Sequence, residues 1–89
     1  MKEMKTFTLK NELGLHARAA AMLVAVSSNF KSKILFERDG KEINGKSILG
    51  ILTLACPKGS SITISAEGDD AREVMEQLGN LIEGKFGED

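Results

Sequence analysis

The chain contains a single histidine, His16, with Arg18 two residues beyond it, inside the stretch LGLHARAAAMLVAVSS that spans residues 13–28. A glycine-leucine pair precedes the histidine, and an alanine-rich apolar run follows it. This places an imidazole at the mouth of a predicted helix. The first amides of a helix have no intrahelical acceptor, and the macrodipole adds positive potential at that end, so the position suits an anion. An imidazole nitrogen there can attack phosphorus. The amides of Ala17 and Arg18 would then hold the phosphoramidate, and the Arg18 guanidinium can reach the same oxygens with bidentate hydrogen bonds. The neutral ring is the nucleophilic form, and a positive helix end favours it. The plainer alternative is a capping or surface histidine. No second acid, base or metal ligand is recognisable in the local sequence. One histidine and one cysteine, Cys56, cannot make a usual zinc site. No serine or cysteine triad can be specified from the spacing, and no cofactor motif is present. The chemistry expected at His16 is therefore transfer onto and off the ring, with a partner protein supplying the rest.

The elements that must position this histidine form one small domain, residues 1–89. Hydrophobic residues make up 42% and charged residues 28%, with a formal net charge of -1, an ordinary soluble mixture that favours neither nucleic acid nor an anionic membrane. Tryptophan and tyrosine are absent, so no aromatic platform for stacking bases is expected. The lone Cys56 excludes an internal disulfide and fits a reducing, cytoplasmic location, with the thiol packed as a small hydrophobe. No apolar run approaches the ~20 residues of a membrane span. The opening MKEMKTFTLK lacks the apolar region of a signal peptide.

Periodicity orders the chain as β-α-β-β-α-β-α. KTFTLK at 5–10 alternates as a strand, with Phe7 and Leu9 on one face. From Ala17 the period becomes helical, with Ala20, Leu23, Val24 and Ser27 on one side. SKILFERDGKEING reads as a hairpin turning at Asp39-Gly40, residues that tolerate positive φ. Ser47 is a good N-cap for a short helix carrying Ile48, Ile51, Leu52 and Ala55 at helical spacing. SITISA alternates as a strand, and the acidic EGDD leads into a last helix with Val74, Leu78, Leu81 and Ile82 as its buried stripe. The tail KFGED is expected to fray. One apolar stripe per helix and alternating strands predict an α+β open-faced β-sandwich, a four-stranded antiparallel sheet covered on one face by three helices.

LGLHARAAAMLV resembles the active-site segment of the histidine-containing phosphocarrier (HPr) family of the bacterial phosphoenolpyruvate-dependent phosphotransferase system, whose pattern is Gly-Leu-His, any residue, Arg-Pro-Ala. NGKSILGILTLACPKGSSITISAEGDD resembles the family's regulatory-serine region and the strand after it. The resemblance extends over residues 4–86. It implies the open-faced sandwich read above and a phosphoryl carrier, not an enzyme that turns over a small molecule. Under it, His16 takes the phosphoryl group on Nδ1 and Arg18 is the active-site arginine. Ser47 matches the serine modified by an ATP-dependent HPr kinase/phosphorylase. The implied partners are enzyme I as donor and IIA-type proteins as acceptors.

The sequence departs from the family in two places. The proline after the active-site arginine is Ala19 here. With His16 as N-cap, Ala19 is the third helical residue, where proline would give up no helical hydrogen bond. Alanine therefore loosens the backbone slightly, and transfer is expected to survive. Lysines found on the docking surface of many sugar-type members are replaced by Ala25, Ser28 and Gly50. The expected docking patch is apolar: Leu15, Ala21, Ile48, Leu49 and Leu52, with Leu15 and Leu49 exposed and Leu52 divided between patch and core. This apolar surface is similar to the nitrogen-related (NPr) branch of the family. A non-transferring regulatory docking module is the further alternative. A monomer is expected, since the patch suits transient contacts.

Overall fold

The computed structural model describes residues 1–88. Four strands and three helices follow in the expected order: β1 (Lys2–Thr8), α1 (Ala17–Ser27), β2 (Lys33–Arg38), β3 (Lys41–Asn44), α2 (Ile48–Leu52), β4 (Ser61–Glu67) and α3 (Ala71–Glu83). The sheet order is β1-β4-β2-β3, antiparallel throughout. Period-2 alternation sends Phe7, Ile34, Phe36, Ile62, Ile64 and Ala66 to one face, where all are buried. Across that face β4 sets Ile62 opposite Phe7 and Ile64 opposite Phe36. Ala20 and Leu23 of α1, Ile51 of α2, and Val74, Leu78 and Ile82 of α3 close over it. The other face is mostly polar, with Met4 and Leu35 flanking Ser65 as its apolar members; there the Thr6 and Thr63 hydroxyls pair at 2.8 Å across β1 and β4. The β2–β3 turn has positive φ at both Asp39 (50°) and Gly40 (84°), the twist that a two-residue hairpin requires. Among the described residues no helix is long and apolar enough to cross a membrane.

Three local expectations change. β1 begins at Lys2 and ends at Thr8, because its pairing with β4 from Lys2↔Glu67 to Thr8↔Ser61 sets its length, not its own alternation. Leu9 leaves the strand yet stays buried. α2 stops at Leu52 instead of running on to Ala55, and Ala55 turns to φ 50° and is exposed. Leu54 takes the buried position in its place. The tail does not fray. Residues Lys85–Gly87 form a 3₁₀ turn that inserts Phe86 into the core at 1% exposure. Burial of the phenylalanine contributes about 1.5–3 kcal/mol, and the hydrogen bonds that Glu88 accepts from Asn11 and Leu13 add to it in offsetting the entropy of ordering the turn. Asp89 lies outside the described residues.

Asp70 is the N-cap residue of α3, but its side chain makes no capping bond. Its carboxylate instead accepts from the Lys31 and Ser32 amides at 2.9 and 3.0 Å and from the Ser32 hydroxyl, tying the α1–β2 loop to the start of α3. The Ser32 hydroxyl and then the Lys31 amide hold the Asp70 carboxyl below its ordinary value, outweighing partial desolvation. Ionised Asp70 therefore stabilises the fold above about pH 4, and that contribution fades as the pH falls through the lowered folded-state value. Asp70→Asn should melt below the unsubstituted chain at pH 7, with the gap narrowing in acid; thermal unfolding at a series of pH values checks this.

Candidate functional site

The loop between β1 and α1 carries the histidine, and backbone-to-backbone contact sets its path. Gly14 has φ 62°, and a Cβ built there would lie 2.2 Å from the Cys56 carbonyl oxygen. Only glycine allows that approach. The next amide, Leu15 N–H, donates to the same carbonyl at 2.9 Å. Arg38 braces the opposite side of the contact, its guanidinium donating to the Leu54 and Ala55 carbonyls at 3.0 and 2.6 Å. Burial pushes the Cys56 thiol up from its ordinary value, which keeps it protonated and chemically quiet. The position is one of packing, as expected.

His16 emerges from this loop as the N-cap of α1, with extended backbone and a side chain that caps nothing. Its carbonyl accepts the first helical bond, from Ala20 N–H at 2.9 Å. The amides of Ala17, Arg18 and Ala19 consequently precede the first bonded turn. Ala17 and Arg18 are exposed and Ala19 is buried. Among the described residues the Arg18 guanidinium enters no ion pair. His16, Arg18 and the unbonded amides of Ala17 and Arg18 thus share the start of α1, an arrangement that can hold a dianion covalently attached to the ring once the guanidinium swings over it.

The expectation that no second acid stands near His16 is corrected. Glu88, 72 residues away in sequence, places Oε2 3.0 Å from His16 Nε2. Asn11, fully buried, donates to the same oxygen at 2.7 Å and to the Gly14 carbonyl at 2.8 Å. The Leu13 amide reaches Oε1 at 3.3 Å. Desolvation pushes the Glu88 carboxyl up, but the hydrogen bonds from Asn11, His16 and Leu13 together prevail and hold it below the usual carboxylate range. Nothing local in the sequence marks this pair; only the docking of Phe86 brings it about.

The expected docking residues divide. Leu15 is not an exposed contact: it is buried at 5% exposure, because the Gly14 turn and the bond to Cys56 point its side chain into the core. Leu13, before the turn, is exposed at 65% in its place. Leu49 is exposed at 77% and Ile48 is also exposed, as is Ala21 on α1. Leu52 is half-buried and packs against the core. Ser47 caps α2, its hydroxyl accepting from Gly50 N–H at 2.9 Å, and is half-buried.

Fold and site describe a small open-faced sandwich that offers one histidine at a helix mouth to a partner, the makings of a group carrier. The family described as PTS HPr component phosphorylation site matches residues 4–84. The Phosphocarrier protein HPr of Cupriavidus necator is 43% identical over 81 residues, 91% of each chain. The crystal structure of HPr-C-His from Thermoanaerobacter tengcongensis superposes with a TM-score of 0.94 at 47% identity, covering 98% of both chains. The HPr dimer from the same organism gives a TM-score of 0.79 at 50% identity, covering 99% of this chain and 100% of that one. The chain belongs to the HPr family of phosphotransferase-system phosphocarriers.

Gly14→Ala tests the loop contact. Forcing a Cβ into a left-handed position against a carbonyl should cost about 2 kcal/mol, read as a lower Tm. Hydrogen exchange should show the Leu15 amide losing its protection.

Proposed function

We propose that this chain accepts a phosphoryl group from phospho-enzyme I on Nδ1 of His16 and passes it to IIA-type proteins in the cytoplasm. The observation that supports this most directly is the state of the imidazole: it stands uncapped at the start of α1, and its Nε2 is occupied by Glu88. That leaves Nδ1 as the atom able to take phosphorus. The amides of Ala17 and Arg18 and the Arg18 guanidinium receive the phosphoryl oxygens. Ala19 sits as the third residue of α1, ahead of the first helix-bonded amide, so alanine in place of the family proline costs no helical hydrogen bond, adds one unbonded N–H and loosens the backbone slightly. The exposed Leu13, Ile48 and Leu49 provide an apolar surface for the donor and acceptor proteins. We assign a monomer in solution, although the relative from Thermoanaerobacter tengcongensis has also been crystallised as a dimer.

Incubation with phosphoenolpyruvate and enzyme I, followed by intact mass, should give an acid-labile, base-stable adduct that His16→Ala abolishes. Arg18→Ala should slow its formation by about 100-fold, the scale expected when one preorganised charge contact is removed. No adduct in the presence of a competent enzyme I would overturn the carrier reading in favour of a non-transferring docking module. Offering sugar-type and nitrogen-type IIA acceptors to the phosphorylated chain assigns the branch. The general HPr role is the primary reading, and the apolar patch, without lysine at Ala25, Ser28 or Gly50, is what supports the nitrogen-type acceptor as its alternative.

Ser47 is proposed as a regulatory phosphorylation site for an HPr kinase/phosphorylase. A phosphate there would add about -1.5 to -2 charge to a helix start adjoining the exposed Ile48 and Leu49. The helix tolerates that charge, whereas an acidic partner is repelled. Ser47→Asp keeps an N-cap oxygen while adding charge. It should preserve Tm and lower the rate of transfer from enzyme I, and an unchanged rate would remove the switch.

A further inference from the structure

The segment after α3 builds part of the site around His16. Phe86 anchors the 3₁₀ turn in the core, and Glu88 follows with its side chain at 13% exposure. Its carboxylate has three partners, all from the histidine loop: it accepts from Asn11 Nδ2 and Leu13 N–H and stands 3.0 Å from His16 Nε2. Asn11 is itself pinned by its second amide hydrogen on the Gly14 carbonyl. The carboxylate is thus fixed relative to the ring by the same loop that carries the ring.

An ionised carboxylate can only accept hydrogen bonds, so a ring nitrogen 3.0 Å from it must carry the hydrogen. A neutral imidazole has one N–H. If that hydrogen sits on Nε2, the lone pair in the ring plane belongs to Nδ1.

We propose that Glu88, held by Asn11, is a positioning residue for phosphoryl transfer that fixes His16 as its Nε2–H tautomer and so makes Nδ1 the nucleophile. The proposal rests on the carrier reading given above. In the forward step the Nδ1 lone pair forms the bond to phosphorus. The bond between phosphorus and the donor breaks, and its electron pair stays with the donor. The proton on Nε2 does not move. The ring thereby gains positive charge, which the Glu88 carboxylate faces across a charge-assisted hydrogen bond. Onward transfer returns the N–P electron pair to Nδ1 and restores the neutral ring. Partners that orient a histidine through its second nitrogen act in this way in many sites.

The test uses the whole chain labelled with ¹⁵N at the imidazole, at about pH 9, where imidazoles are neutral. The ring nitrogen shifts report the tautomer without any phosphoryl donor. In the unsubstituted chain the Nε2–H form should dominate. In Glu88→Ala the Nδ1–H form should rise, and phosphoryl acceptance from enzyme I should slow by about tenfold, the size of loss typical when such an orienting partner is removed. Glu88→Gln keeps an acceptor without the charge and should recover the tautomer but only part of the rate. The backbone spectrum of each variant shows that the sheet and helices remain. A Glu88→Ala tautomer ratio equal to that of the unsubstituted chain would overturn the proposal, as would an unchanged acceptance rate. If the unsubstituted chain accepts no phosphoryl group, the carrier reading fails and takes the transfer role of Glu88 with it. The ring shifts still show separately whether Glu88 governs the tautomer.

Discussion

The Cys56 carbonyl, touched by the Gly14 backbone and bonded by the Leu15 amide, is the constraint on which the site depends. It joins the loop before α1 to the segment after α2, so that one stretch of chain cannot move without the other. Side chains reinforce the junction from both sides. Arg38 holds the carbonyls of Leu54 and Ala55, and Lys58 pairs with Glu12 across the two turns. The Lys58–Glu12 pair is exposed and adds little alone. The backbone contact is buried and allows almost no alternative geometry. His16 inherits its direction from this junction, since it is the next residue in the chain.

Opposite charges are separated by function around the ring. The open amides of α1 and the Arg18 guanidinium make one side receptive to an anion, whereas Glu88 presents an anion to Nε2. A carboxylate beside a phosphate site would be expected to repel the phosphate. Here the carboxylate is already engaged by Asn11, Leu13 and the Nε2 edge of the ring, which leaves Nδ1 without a hydrogen-bond partner among the described residues.

The architecture was readable because its signals are local and repeated. Alternation in SITISA, the Asp39-Gly40 turn and the Val74, Leu78, Ile82 stripe each require only neighbouring residues, and each forms as its pattern demands. His16 and Arg18 were legible for the same reason, being two positions apart at a helix start. What could not be read depends on long-range packing. Leu15 looked exposed because it adjoins a reactive residue, yet a carbonyl 41 residues further on, at Cys56, turns it inward. The length of β1 follows from its partner strand. Glu88 looked like part of a frayed polar tail. The one hint was Phe86, an aromatic among glycines and charges, whose burial reverses the expectation for the residues beside it.

The tail also bears on the order in which the molecule becomes complete. During synthesis the histidine leaves the ribosome early, and its carboxylate partner follows 72 residues later. β1 meanwhile waits for β4, so the first strand has no neighbour on its paired edge until most of the chain exists. A nascent chain can thus display His16 long before it can constrain it. The contacts around that ring are complete only once the segment after α3 has docked against the loop before α1.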